Sequence, residues 1–314
     1  MSEGLVVALS GGIGGAKLAL GLSRVLPPED LLIVANTGDD FEHLGLSISP
    51  DLDTLMYTLA GLDNPTLGWG RRDETWSFME SLEQVGGETW FRLGDRDLAV
   101  HVERTRRLRG GETLSAVVAD MCARLGIGPR VLPMSDDPVR TRVRTDEGWI
   151  DFQEYFVRRR CEPAVHELAF HGATTARAQP DFIAALEDPE TTAVVICPSN
   201  PFISIEPILA VPGVRDALIA CAAPVIAVSP LIGGRAIKGP TAKMMAELGM
   251  TPSAGGVARR YGELIDGYVC DFADMDQVAG IEARVTLAQT LMGTLADREA
   301  LARTVLGAAR VLRR

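Results

Sequence analysis

The chain has 314 residues, room for roughly one large or two average domains. With 46% hydrophobic and 23% charged residues, it can bury a core without disulfide or metal staples. A formal net charge of −11 argues against a general nucleic-acid binder, which needs a basic footprint, but not against a small phosphorylated ligand held by local cations or a metal.

Leu5 to Leu9 form a short apolar run, too short for a signal-peptide core and preceded by no basic segment, and read as a strand. Ser10 to Gly15 follow as a glycine loop, and Ala16 to Leu26 as a helix stopped by Pro27-Pro28. Leu31 to Ala35 are a second strand. Strand, glycine turn, helix and strand open a parallel βαβ unit, and strands apolar on both faces imply covering helices. Ser49 as N-cap and Pro50 as first helical residue start the next helix, with Leu52, Leu55, Met56 and Leu59 as its apolar stripe and Gly61 as its end. Trp69 to Gln84 are polar and aromatic, helical in the second half. Gly94-Asp95-Arg96-Asp97 reads as a charged surface loop before an apolar strand. Leu114 to Leu125 give an amphipathic helix and Val131 to Pro133 a brief strand.

The texture changes near Asp136. Alternating polar and apolar residues around Asp146-Glu147-Gly148 predict a hairpin, so residues 136–178 read as a β-rich insertion. Core strands resume at Ala193 to Cys197, Pro224 to Val228 and Gly267 to Cys270, and Asp297 to Arg314 form a helix with Leu301, Val305, Ala309 and Leu312 on one face. The fold expected is α/β: one Rossmann-like, mostly parallel sheet over 1–314 with helices on both faces and that insertion. Five cysteines at wide spacing, without C-x-x-C, fit reduced core thiols rather than a disulfide framework or zinc site, and so a cytoplasmic protein. No apolar run approaches the roughly 18 residues of a membrane helix.

Ligands of an open parallel sheet bind outside the carboxyl ends of its strands. Four loops there are small, polar or glycine-rich: residues 10–15, 36–40, 198–201 and 229–234. The first suits phosphate, through glycine amides and a helix N-terminus, although a tight βα turn without ligand has the same pattern. It is no Walker A motif, since Leu18 follows Lys17 where a hydroxyl would hold magnesium. Asn36, not an acid, ends the second strand, which fits a dinucleotide enzyme poorly. Asp39, Asp40, Asp51 and Asp53 are the candidate Mg²⁺ ligands. An Asx turn at Asp39-Asp40 and a helix-dipole role for Asp51 are the alternatives. His43 and His101 stand alone, and no Ser-His-Asp spacing or metal-ligand histidine pair occurs.

The chain resembles the 2-phospho-L-lactate transferases of coenzyme F420 biosynthesis, the CofD/FbiA family. The matching stretches are SGGIGGAK at 10–17, NTGDD at 36–40, SPDLDTLMYTLAG at 49–61, GWGRRDETW at 68–76, LGDRDLA at 93–99, PSNPFISI at 198–205 and SPLIGG at 229–234. The resemblance implies Mg²⁺, a guanosine diphosphate-linked phospho-hydroxyacid donor, the deazaflavin alcohol Fo as acceptor, GMP as leaving group, and a homodimer. By position, Gly11, Gly12, Gly14 and Gly15 would cradle the diphosphate. Asp39 and Asp53 would act in catalysis and bind Mg²⁺, with Asp40 and Asp51 in support. Asn36, Ser199 and Asn200 would contact nucleotide or acceptor, and Asp95 and Arg96 would shape the donor-acid or acceptor pocket. Trp69, Trp76 and Phe41 are candidates to stack on the deazaflavin. The rivals are a nucleotide-sugar-binding regulatory relative without transferase activity and an NAD(P)-dependent oxidoreductase.

Overall fold

The computed structural model describes residues 4–313. Seven strands make the central sheet: β1 (Leu5–Ser10), β2 (Leu31–Ala35), β3 (Arg130–Pro133), β4 (Thr191–Ile196), β5 (Val225–Val228), β6 (Gly267–Asp271) and β7 (Arg284–Ala288). Their spatial order is β7-β6-β5-β4-β1-β2-β3, and every pairing is parallel. The chain leaves β1 in one direction through β2 to β3, then returns to β4 and continues the other way. The topological switch therefore lies between β1 and β4, where an open α/β sheet leaves a crevice.

The strand period of two sorts the apolar residues onto two faces. Val7, Leu9, Leu32, Val34, Val194 and Ile196 join one core, and Val6, Ala8, Leu31, Ile33, Ala193 and Val195 the other. Helices α1 (Gly12–Val25), α2 (Pro50–Leu59) and α5 (Leu114–Arg124), with the helix Leu295–Leu312, cover the second face. Between α2 and α5 lie α3 (Ser77–Gln84) and α4 (Asp95–Arg109). The first face is covered by helices Pro180–Glu187, Val214–Ala220 and Ala254–Tyr261 and by a small antiparallel sheet. That sheet centres on Arg140–Thr145, flanked by Gly148–Asp151 and Glu167–His171. The hairpin tip is Asp146-Glu147, as alternation predicts, and Glu167–His171 adds a third strand.

Several boundaries differ from the sequence reading, each for a local reason. Helix α1 begins at Gly12, whose φ of 65° only glycine adopts cheaply, so most of the glycine run is helix rather than loop. The segment read as a charged loop and strand is α4. Asp95 and Asp97 sit in its first turn and Arg106, Arg107 and Arg109 in its last, so both ends complement the helix dipole. Ser49 precedes α2 without capping it; its hydroxyl donates to Asp40 Oδ2 at 2.8 Å. The helix after β7 starts at Leu295 behind a Thr294–Asp297 capping box; Arg314, assigned to its end, lies outside the described residues. The five cysteines are unpaired. No helix among the described residues is long and apolar enough to cross a membrane.

Candidate active site

A cleft of about 590 Å³ opens at the carboxyl ends of the strands, at the switch point. Residues from all four strand-end loops line it: Gly11 to Gly14, Asp39, Pro198 to Asn200, and Ser229 with Pro230. Much of the rest of its lining is apolar, with Trp69, Trp90, Phe152, Phe156 and Ile237.

The phosphate end is built by close approach. A Cβ on Gly14 would collide with the carbonyl oxygen of Pro198, so glycine lets the α1 N-terminus press against the β4 loop. Gly11 N–H donates to Ser199 Oγ at 3.2 Å, and Gly12 N–H to Asp51 Oδ1 at 2.8 Å. Gly11 has no side chain to cap the helix, so Ile13 and Gly14, next in the first turn, present its positive end to the cleft. Gly15 packs on Ser10 and Ser199 behind the wall. Asn36 is a fully buried hub: its Nδ2 donates to Asp51 Oδ2 at 2.9 Å and to the Ile203 carbonyl at 3.2 Å, and its Oδ1 accepts from Gly38 N–H. Asn200 Oδ1 caps the turn Pro201–Ile205 by accepting from Phe202 N–H at 2.9 Å.

The aspartates divide into two groups. Asp51 and Asp53 are two residues apart in α2, about 200° around its axis, so they point to different sides. Asp51 turns to α1 and Asn36. Burial pushes its pKa up, as it does for Asp39, whose carboxyl also feels Asp51. Asp39 lines the cleft at 7% exposure, and its Oδ1 has no hydrogen-bond partner. Burial likewise pushes Asp40 up to about 7, behind the wall.

Asp53 turns the other way, into a cluster with α4. It pairs with Arg104, through Oδ1 to Nη2 and Oδ2 to Nη1, the latter at 3.1 Å. His101 Nδ1 lies 3.6 Å from Asp53 Oδ2, and His101 Nε2 lies 3.4 Å from Asp97 Oδ2. Tyr57 donates its hydroxyl to Asp97 Oδ1. Burial raises Asp97, but the hydrogen bond and charge of His101, with Tyr57 and Arg104, leave it below the ordinary carboxylate range. Asp53, Asp97 and His101 could surround a cation, yet the fully buried Arg104 already supplies positive charge to Asp53. Sequence reasoning missed Arg104 and took Asp97 and His101 for a surface loop and a lone histidine. The available signal was Asp97, His101 and Arg104 at i, i+4 and i+7, one face of a helix.

Asp95 and Arg96 do not line the cleft. Asp95 accepts from Thr75 Oγ1 at 2.6 Å and from the amides of Ser77 and Phe78, closing the start of α3. Glu74 in return accepts from the amides of Arg96 and Asp97 at 2.8 and 2.9 Å. The pair locks α3 to α4, which aims Asp97 and His101. Of the aromatic candidates, Trp69 reaches the cleft, Trp76 lies under the Arg92 guanidinium, and Phe41 packs edge-on against Phe91.

The family model for 2-phospho-L-lactate transferase CofD matches residues 6–304. The chain belongs to the CofD family. It is 43% identical over 318 residues to a phosphoenolpyruvate transferase of Kitasatospora aureofaciens, covering 98% of both chains. It is 40% identical over 303 residues to a phosphoenolpyruvate transferase of Streptomyces coelicolor, covering 95% of this chain and 94% of that one. A crystal structure of a UPF0052 family member from Bacillus halodurans superposes with a TM-score of 0.64 at 13% identity, covering 98% and 99%, a likeness of fold. Membership in a transferase family agrees with a cleft that offers helix amides, carboxylates and an apolar lining together.

Proposed function

We propose that this CofD-family chain moves a phospho-2-hydroxyacid unit from a guanosine diphosphate carrier to the ribityl hydroxyl of Fo, a late step in making coenzyme F420. Relatives named phosphoenolpyruvate transferases favour the phosphoenolpyruvyl form of the donor. The observation that carries the reading is the mixed lining of one cleft: the N-terminal amides of α1, the carboxylates of Asp39 and Asp51, and an apolar share that includes Trp69, Trp90, Phe152 and Phe156. A guanosine diphosphate unit and a planar tricyclic alcohol need those environments in one cleft.

The carboxylates fit Mg²⁺. Asp39 has a buried oxygen without a partner, next to a second carboxyl, Asp51, and burial with their mutual charge disfavours ionisation until a cation arrives. Asp39, with Asp51 beside it, would hold the ion. Bound there, Mg²⁺ would neutralise the pyrophosphate charge. In the transfer, the ribityl oxygen attacks the phosphorus bearing the acid, the bond from that phosphorus to the GMP oxygen breaks, and the hydroxyl proton passes to a carboxylate. Asp39 or Asp53 would take that proton. The α1 amides position the leaving phosphate, and the apolar wall excludes water from the attacking oxygen. Arg104 and His101 fix Asp53 in one orientation.

The test is one assay: purified protein with Fo, Mg²⁺ and each of the phosphoenolpyruvyl, phospholactyl and phosphoglyceryl guanosine carriers, read by product mass. The phosphoenolpyruvyl carrier should give the fastest turnover, lost in EDTA and restored by Mg²⁺. No product from any carrier would refute the reading.

A further inference from the structure

We propose that Arg160 is the residue that reads the carboxylate of the donor's acid unit. The inference rests on the transferase reading above and adds to it the group that is recognised.

It begins with backbone conformation. Arg160 and Cys161 are consecutive non-glycine residues in the left-handed region, with φ of 50° and 58°. Such residues are uncommon, and strain of this kind gathers at functional sites. They close a single π-turn, Glu154–Arg158, where Arg159 N–H donates to the Glu154 carbonyl and Cys161 N–H to the Tyr155 carbonyl at 2.9 Å. A helix end of this kind normally uses glycine. The cap explains the turn but not an arginine in it.

The side chains supply the missing reason. The run Arg158-Arg159-Arg160 splits in two. Arg158 pairs with Glu154, and Arg159 with Glu154 and Glu147, all outside the cleft wall. Arg160 lines the cleft and makes no side-chain hydrogen bond or ion pair among the described residues. The left-handed turn is what parts it from its neighbours. The same segment is anchored beside the carboxylates, because Gln153 Nε2 donates to the Asp39 carbonyl at 3.1 Å.

The other cations of the cleft are engaged. Lys17 donates to the Met292 carbonyl, Lys238 to the Leu67 carbonyl, and Arg92 lies over Trp76. Lys17 also stands on α1, at the phosphate end. A carboxylate entering a cleft lined by Asp39, Asp51, Asp53 and Asp97 needs a cation, and a guanidinium meets it with two parallel hydrogen bonds. Phosphoenolpyruvyl, phospholactyl and phosphoglyceryl units differ in the carbon chain and share that carboxylate. Arg160 thus reads what they have in common.

The test compares the parent with Arg160→Gln, Arg160→Lys and Arg160→Gly. With the phosphoenolpyruvyl guanosine carrier, Arg160→Gln should raise donor KM about tenfold to a hundredfold, the scale of a lost charge-assisted hydrogen bond. Arg160→Lys should recover part of it. GDP, which has no acid unit, should bind all variants like the parent in calorimetry. A carrier with a carboxamide in place of the carboxylate should lose the same factor with the parent and no more with Arg160→Gln. Arg160→Gly should keep or raise the melting temperature, since glycine accepts this φ, while showing the same KM defect. Donor KM within twofold of the parent, or equal weakening of GDP, overturns the assignment and leaves the transferase reading standing. A parent inactive with all three carriers overturns both.

Discussion

Arg104→Met tests the central electrostatic claim, that Arg104 is the counter-charge of Asp53 inside the fold. Arg104 is 0% exposed and holds both carboxylate oxygens of Asp53, itself buried in the first turn of α2. Methionine keeps much of the length and none of the charge. Removing one partner of a buried pair strands the other, a cost of about 3–5 kcal/mol. The loss should exceed that of an ordinary surface ion pair here, such as Arg303–Glu299, by several-fold, because exposed pairs contribute about 0–1 kcal/mol. Urea unfolding of the parent, Arg104→Met, Asp53→Asn and the double variant measures it as a thermodynamic cycle. The double variant should be more stable than Arg104→Met alone, because the amide removes the stranded charge. The reasoning fails if Arg104→Met lies within about 1 kcal/mol of the parent, the range of a surface pair, or if the double variant is less stable than Arg104→Met.

The pH dependence follows from Asp40. Its folded pKa, about 7, lies above its ordinary 3.8, so its contribution is fully present below 3.8 and is lost as pH rises towards 7. In EDTA, the stability of the parent relative to Asp40→Asn should therefore fall by up to about 4 kcal/mol between pH 4 and 7.5; thermal unfolding checks it, and a rise would contradict the burial argument. Gly14→Ala should cost about 1–3 kcal/mol in urea and weaken GDP binding, because its Cβ meets the backbone of Pro198 and moves α1 off the β4 loop. Asp51→Ala leaves the Gly12 amide and the Asn36 side chain without their acceptor, a loss of about 1–3 kcal/mol. Asp39→Asn should keep the fold and remove Mg²⁺-dependent turnover, read by product formation against a metal titration.

The sequence by itself determined the layers and the rim. β-branched apolar runs at Leu5 to Leu9 and Leu31 to Ala35 can only be inner strands, because both faces must be covered. Glycines at 11, 12, 14 and 15 mark the close approach of a helix end. Strand β7 escaped notice, since Arg284-Val-Thr-Leu-Ala carries a charge and a hydroxyl and is short. The segment 95–109 was illegible as a helix because its mean composition is charged; its buried face of His101, Arg104 and Thr105 is polar, with Arg104 satisfied by Asp53 of α2 and the Ser47 carbonyl. Tertiary structure decided which neighbours Asp51 and Asp53, two residues apart in α2, serve. It also decided that Asp95 joins two helices instead of facing the cleft, and that Arg160 faces the cleft while Arg158 and Arg159 do not. Periodicity is a property of one element, so a sequence discloses it. The partner of a buried charge comes from elsewhere in the chain, and only packing chooses it.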